Sequence, residues 1–352
     1  AQPVPENSHS VDNDGGLYSV HAIGLPALVA LPFAVGGTLL AKLFLIAVSS
    51  VAVWLNWRAS DRYNGSRRDR AVAVAVVMTG MGFVTAATQV YPDVTIGVLA
   101  LFAITVILRY ETAAAAPAAG SDTPACTPST WLRRPWIATS VVALLPLLHI
   151  KTAATAAVLI FTIAALDWRR RRSPRRAVAM MAPLVVVAVL VAAYNAWAFG
   201  RIGGPYEGGN LSVGRMPLTV LFGLYTDQFH GMFVQNPALL AALVALPMFV
   251  RRFPVTGVAV IVTHISFVLP NAMHVNWYGG FSFAGRFGVA GALVLTPVAV
   301  FGLAHLLANR RTVWPWVLVG ALIAFQGIQF VRYTLLERSL YNNLLVLPDV
   351  YP

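Results

Sequence analysis

Charge and cysteine are what this sequence has least of. Only 11% of its 352 residues are charged, and acidic side chains number 13 against 25 basic ones. One cysteine, Cys126, excludes an internal disulfide and any paired-cysteine metal site. No glycine-rich loop ending in Lys-Ser or Lys-Thr is present to cradle a nucleotide phosphate, and neither HExxH nor GxSxG occurs. These absences remove the common soluble hydrolases, zinc proteases and nucleotide-binding folds. No internal repeat is evident either, which argues against a transporter built from two related halves. The chain opens on AQPVPENSHS, without a methionine or an apolar leader. A segment upstream of it is therefore expected.

Apolar residues are abundant instead. They make up 58% of the chain, and mean hydropathy is +0.71. Long apolar runs of about 20 residues are what a bilayer span requires, and backbone facing lipid must be helical. About ten spans are expected, near residues 38–57, 71–90, 92–109, 136–150, 152–167, 177–198, 236–250, 255–271, 286–307 and 312–331. The fold class is accordingly an all-α, polytopic transmembrane bundle. Its expected organisation is an outer loop with a re-entrant or interfacial segment over 1–37, where Pro26 and Pro32 interrupt an apolar run, then the bundle over 38–331 and an outer tail over 332–352.

Charge sets the sidedness. Of the 25 basic residues, 18 fall in alternate loops that include Arg58, Arg109, the RRRRSPRR run, and the pairs at 251–252 and 310–311. That asymmetry places those loops in the cytoplasm and accounts for the net charge of +12 without nucleic acid. The opposite side is nearly charge-balanced and carries five of the seven histidines: His9, His21, His149, His230 and His274. Polar, titratable groups gathered at one end of an apolar bundle predict an outer-face cavity. Mid-span positions are almost wholly apolar, His264 being the notable exception. That favours a site at one face over a transporter or lipid flippase, the rival reading. A fragment without activity of its own is the third.

Five outer-side stretches carry a resemblance, in order along the chain: GGLYSVHAIGLPALVALPFAVGG at 15–37, VYPDVTIGVLALFAI at 90–104, LLPLLHIKTAATAAVLIF at 144–161, GLYTDQFHGMFVQNP at 223–237 and NWYGGFSFAGRF at 276–287. Together they resemble the GT-C membrane glycosyltransferases that use polyprenyl-phosphate-linked sugars, of the mannosyl- and aminoarabinosyl-transferase type. The resemblance implies a GT-C-like bundle in a bacterial cytoplasmic membrane, with its site facing outside. It implies a lipid-linked sugar donor and an acceptor hydroxyl on a lipid, glycan or protein. Such chemistry asks for a carboxylate base, cations for the departing phosphate and an apolar groove for the lipid tail. No cofactor is demanded, although a divalent cation is compatible.

Each candidate residue has a plainer reading beside the functional one. Arg286, near Gly279, Gly280 and Gly285, is suited to clamp a phosphate, or simply snorkels to the interface. Trp277 and Tyr278 can stack on a sugar, or belong to the aromatic belt. His149 and Lys151 lie on a short turn and fit a phosphate, or anchor a hairpin. Asp93 follows Pro92 at a helix start, an ordinary stabilising arrangement that also allows it to orient a hydroxyl or a cation. Asp12 and Asp14 are the close carboxylate pair, a base or part of a metal site, or else turn residues. The resemblance places a catalytic aspartate in the first outer loop after an initial span, and no such span precedes residue 20 here. The base is thus expected at Asp12 or Asp14, or upstream. Tyr18, His21, Asp227 and His230 are secondary, the last two spaced to share a helical face.

Overall fold

The computed structural model describes residues 10–13, 16–19, 21–115, 135–205, 216–227, 231–274, 285–309 and 312–332. Over these the chain is helical apart from one antiparallel hairpin, β1 (Ser10–Asn13) with β2 (Gly16–Ser19), in which Val11 faces Tyr18. The helices run α1 (Gly24–Ser60), α2 (Arg67–Met78), α3 (Met81–Ala87), α4 (Pro92–Ala115), α5 (Pro135–Val142), α6 (Leu145–Leu148), α7 (Ala153–Arg171), α8 (Pro174–Ala179), α9 (Ala182–Phe199), α10 (Met216–Thr226), α11 (Met232–Gln235), α12 (Leu240–Arg252), α13 (Pro254–Ala272), α14 (Arg286–Ala308) and α15 (Trp314–Val331).

Every expected span falls on helix, but their lengths differ. Seven described stretches are long and apolar enough to cross a bilayer, and α2 with α3, bent by 66° at their break, make an eighth if they form one span. Pro135–Leu148 and α12 are shorter. The apolar stretch before residue 38 also differs from the expectation. It is helical from Gly24 onward, Pro26 sitting in the first turn where its missing N–H is harmless. The irregularity lies at Gly36 and Gly37, the latter at φ +60°, a conformation that glycine adopts without steric cost.

Two helices form the centre. Nearly all of the apolar window of α4 and of α14 is buried, whereas most of α1, α9 and α15 presents leucine, valine and phenylalanine outward. A helix apolar all round belongs inside a bundle or in lipid, and small residues decide which. Gly97 of α4 lies so close to α14 that a Cβ there would sit 2.6 Å from Leu293 Cδ1. Gly291 and Gly302 of α14 similarly admit Val268 and Ala245. Such close approach is how helices gain packing energy where no hydrophobic drive separates them from lipid.

The two ends are chemically distinct. At the arginine-rich end the described acids are used structurally. Asp69 completes a capping box with Ser66 on α2. Glu111 caps α13, accepting from Val255 N at 2.8 Å, Thr256 N at 2.9 Å and Thr256 Oγ1 at 2.6 Å. Asp167, buried, bridges Arg171 at 3.2 Å and Arg176 at 2.8 Å. The opposite end gathers the hairpin and the polar starts of α4 and α14.

Candidate functional site

At that opposite end the sequence brings four of its candidates together. Pro92 starts α4, and Asp93 follows in its first turn. Gly285, at φ +75°, turns the chain into α14 and sets Arg286 at the first helical position. Arg286 Nε donates to Asp93 Oδ2 at 3.0 Å, across 193 residues of sequence, and the Asp93 side chain is only 4% exposed. The guanidinium lies flat enough over Tyr91 that its Cζ is 3.9 Å from the ring centroid. An ion pair this sheltered from water, stacked on an aromatic face, fixes the arginine in one orientation.

Lys151 enters from a short 3-10 turn, Ile150–Thr152. Its Nζ donates to Asn271 Oδ1 at 2.8 Å and lies 5.0 Å from the Phe287 ring. Asn271, at the end of α13, donates through Nδ2 to the Phe287 carbonyl at 2.7 Å. One amide therefore ties α13, the start of α14 and Lys151 together. Asn271 and Tyr91 were not singled out from sequence. A buried amide at the end of the apolar run SFVLPNA was the available sign, since a polar side chain in such a place must have a partner.

His149, in extended backbone between α6 and the turn, accepts from Lys151 N through Nδ1 at 3.4 Å. A neutral imidazole protonated on Nε2 satisfies that geometry. Burial, then Lys151, opposed by Asp93 and joined by Arg286 and His21, holds its pKa down at about 3. With His149 neutral, the cluster contains two basic side chains and one carboxylate, a residual charge suited to an anion. His274 is lowered in the same sense, by burial and then by Lys151.

A pH prediction follows. Because the folded pKa of His149 lies below that of the unfolded chain, the unfolded state binds the proton first. Stability from this residue is complete above pH ~6.5 and declines toward about 3, by up to about 1.4 kcal/mol per pH unit. His149→Asn replaces the capping ring nitrogen by an amide oxygen that also accepts but does not titrate. Thermal unfolding of the detergent-solubilised protein between these pH values should show a shallower acid slope for the variant, and parallel curves would refute the assignment.

Beside the cluster runs a shallow apolar groove lined by His21, Ile23, Leu147, Ile150, Tyr194 and Phe199 among others. The hairpin docks along the same α9 end. Tyr18 meets Trp197 edge-on at 5.0 Å, and Asn13 donates to the Trp197 carbonyl at 3.3 Å. Gly24 seats α1 against this region, for an added Cβ would fall 2.5 Å from the Leu147 carbonyl oxygen.

Other candidates are placed differently. Asp227 directly follows α10, its N–H donating to the Gly223 carbonyl at 2.9 Å and its carbonyl accepting from Gly231 N at 2.8 Å; His230, with which it was expected to share a helical face, lies outside the described residues. Asp14, His230, Trp277, Tyr278, Gly279 and Gly280 lie outside the described residues, and Asp12 is described only as backbone of β1. His264, the mid-span exception, uses both ring nitrogens inside the bundle. Nδ1 donates to the Gly291 carbonyl at 3.0 Å, and Nε2 accepts from the Tyr225 hydroxyl at 2.7 Å. That pins α10 to α13 and gives the histidine a structural employment.

No family model and no curated protein matches this sequence. Among solved structures the chain is similar to ArnT from Cupriavidus metallidurans, in a crystal structure with undecaprenyl phosphate bound, at a TM-score of 0.59 and 13% identity. The alignment covers 92% of this chain and 56% of that one, so the chain spans a little over half the length of its structural neighbour. At this identity the likeness shows the fold alone, a polytopic GT-C-like helical bundle.

Proposed function

We propose that this chain is a membrane glycosyltransferase that moves a sugar from a polyprenyl-phosphate donor to an acceptor hydroxyl of a lipid, glycan or protein, at the outer face of a bacterial cytoplasmic membrane. The observation that carries the reading is the meeting of Arg286, Lys151 and neutral His149 beside an apolar groove, at the arginine-poor end of a GT-C bundle. Arg286 and Lys151 take the carrier phosphate, and the groove takes the first isoprenoid units. Asp93 acts as the positioning residue for Arg286 rather than as the base. Trp277, Tyr278 and the glycine pair Gly279–Gly280, in the segment leading to Arg286, are assigned to the sugar side. Tyr18 and His21 flank the groove.

The chemistry balances as a direct displacement. The acceptor oxygen forms its bond to the anomeric carbon as the bond from that carbon to the phosphate oxygen breaks. The acceptor proton passes to a carboxylate, and polyprenyl phosphate departs with the electron pair. With Asp93 committed to Arg286, Asp12 and Asp14 are the paired carboxylates of this chain to test as the base. The division into an outer segment at 1–37, a bundle at 38–331 and a tail at 332–352 belongs to the same proposal.

The test is transfer itself. The purified protein in proteoliposomes, given a radiolabelled polyprenyl-phosphate sugar and a membrane-envelope acceptor fraction, should release polyprenyl phosphate and move label to the acceptor. Saturable binding of polyprenyl phosphate by native mass spectrometry checks the carrier site independently of the acceptor. Failure of both overturns the proposal.

A further inference from the structure

The proposed transfer uses one end of the bundle, and a second arrangement of charge stands at the other. Arg109 lies on α4 sixteen residues beyond Asp93, about 24 Å along the helix. Sequence alone places it among the loop arginines that anchor a membrane protein. Anchoring arginines keep their charged heads in water or headgroups, as Arg251 and Arg252 do at the exposed end of α12. Arg109 does the reverse. It is 9% exposed, and its side chain makes no hydrogen bond and no ion pair with any described residue.

The charges acting on it are Arg58, Arg62 and Asp61. Asp61 is itself already shared, 3.8 Å from Arg58 and 3.5 Å from Arg70. The Nε atoms of Arg58, Arg70 and Arg109 are all buried without an acceptor. The carboxylate nearest to hand is thus already engaged by two guanidinium groups, and Arg109 adds a further one without a partner. A buried, unpaired charge is among the most expensive features a fold can keep, and native proteins rarely leave such donors unsatisfied. The planar fork of arginine matches phosphate oxygens in pairs.

We propose that Arg109, with Arg58, Arg62 and Arg70, forms a phosphate-binding site at the arginine-rich end of the bundle, distinct from the transfer site. The ligand is a phosphate group, supplied either by the headgroup of an anionic phospholipid in the adjoining leaflet or by phosphate from the aqueous side.

Thermal unfolding of the full chain in neutral detergent tests this with two probes. One is inorganic phosphate, compared with chloride at equal ionic strength. The other is phosphatidylglycerol in mixed micelles, compared with phosphatidylcholine. Wild type should gain about 3 °C or more with one of the two. A response to inorganic phosphate assigns the aqueous source, and a response to phosphatidylglycerol alone assigns the lipid. Arg109→Gln should lose the response, yet melt no lower than wild type without a probe, since it removes an unpaired buried charge. Arg251→Gln should keep the response. No shift with either probe, or an equal shift in wild type and Arg109→Gln, overturns the proposal. Should Arg109→Gln not fold, exposed Arg62→Gln takes its place, and an undiminished shift in that variant overturns the proposal equally.

Discussion

Arg286→Ala is expected to lower transfer at least about 100-fold, the usual loss when one preorganised donor to a developing anion is removed. Arg286→Lys should not restore it, because an ammonium cannot grip Asp93 and a phosphate in the same plane. The substitution also strands Asp93, whose side chain is 4% exposed. Breaking a sheltered pair from one side costs about 3–5 kcal/mol, so a loss of activity alone would not separate chemistry from folding. The double variant Arg286→Gln/Asp93→Asn separates them. It replaces the pair by two neutral amide side chains and should recover most of the lost melting temperature while remaining inactive. Asp93→Asn alone should keep the arginine but loosen its orientation, with a smaller fall in rate. If Arg286→Gln instead transfers at near the wild-type rate from a destabilised fold, the ion pair is a strut between α4 and α14 and the phosphate assignment fails.

The legibility of this site followed the range of the interactions that build it. Apolar runs reported the helices, since each span is a local property of about twenty residues. The uneven arginines separated the two ends, since charge in a loop acts locally on topology. Asp93, Arg286, His149 and Lys151 were each recognisable as polar residues at span ends. What the sequence could not disclose was their pairing. Arg286 meets a carboxylate 193 positions away, and Lys151 an amide 120 positions away, through helix packing set by Gly97 and Gly291. Of the two partners the sequence left open for Asp93, a hydroxyl or a cation, the packing supplies the cation, Arg286. The enclosure of Arg109 was hidden for a related reason. Its position near a span end resembles an anchor, and only the packing of α1, α7, α13 and α14 around α4 shows it to be enclosed.

Lys151→Met should produce a different pattern from Arg286→Ala, namely a large loss of activity with little loss of stability. Methionine nearly preserves the volume and flexibility of the lysine stem. It removes one of two like charges that share a single carboxylate. Asn271 Oδ1 loses its donor, at about 1–3 kcal/mol, but Nδ2 keeps its bond to the Phe287 carbonyl, and the removal of a buried ammonium with its desolvation cost offsets the loss. Melting within a few degrees of wild type is therefore expected. The kinetic consequence comes from charge balance. A sugar phosphodiester carries one negative charge, whereas the departing polyprenyl phosphate approaches two. With His149 neutral, the second basic group matters most as that extra charge develops, so its removal should lower kcat about 10- to 100-fold and raise donor KM much less. Product inhibition by polyprenyl phosphate should weaken in step with kcat rather than with KM. Equal changes in donor KM and in the inhibition constant, with kcat intact, would make Lys151 a uniform binder of both states. No change in any of the three would remove Lys151 from the carrier site and leave the cluster held together by Asn271 alone.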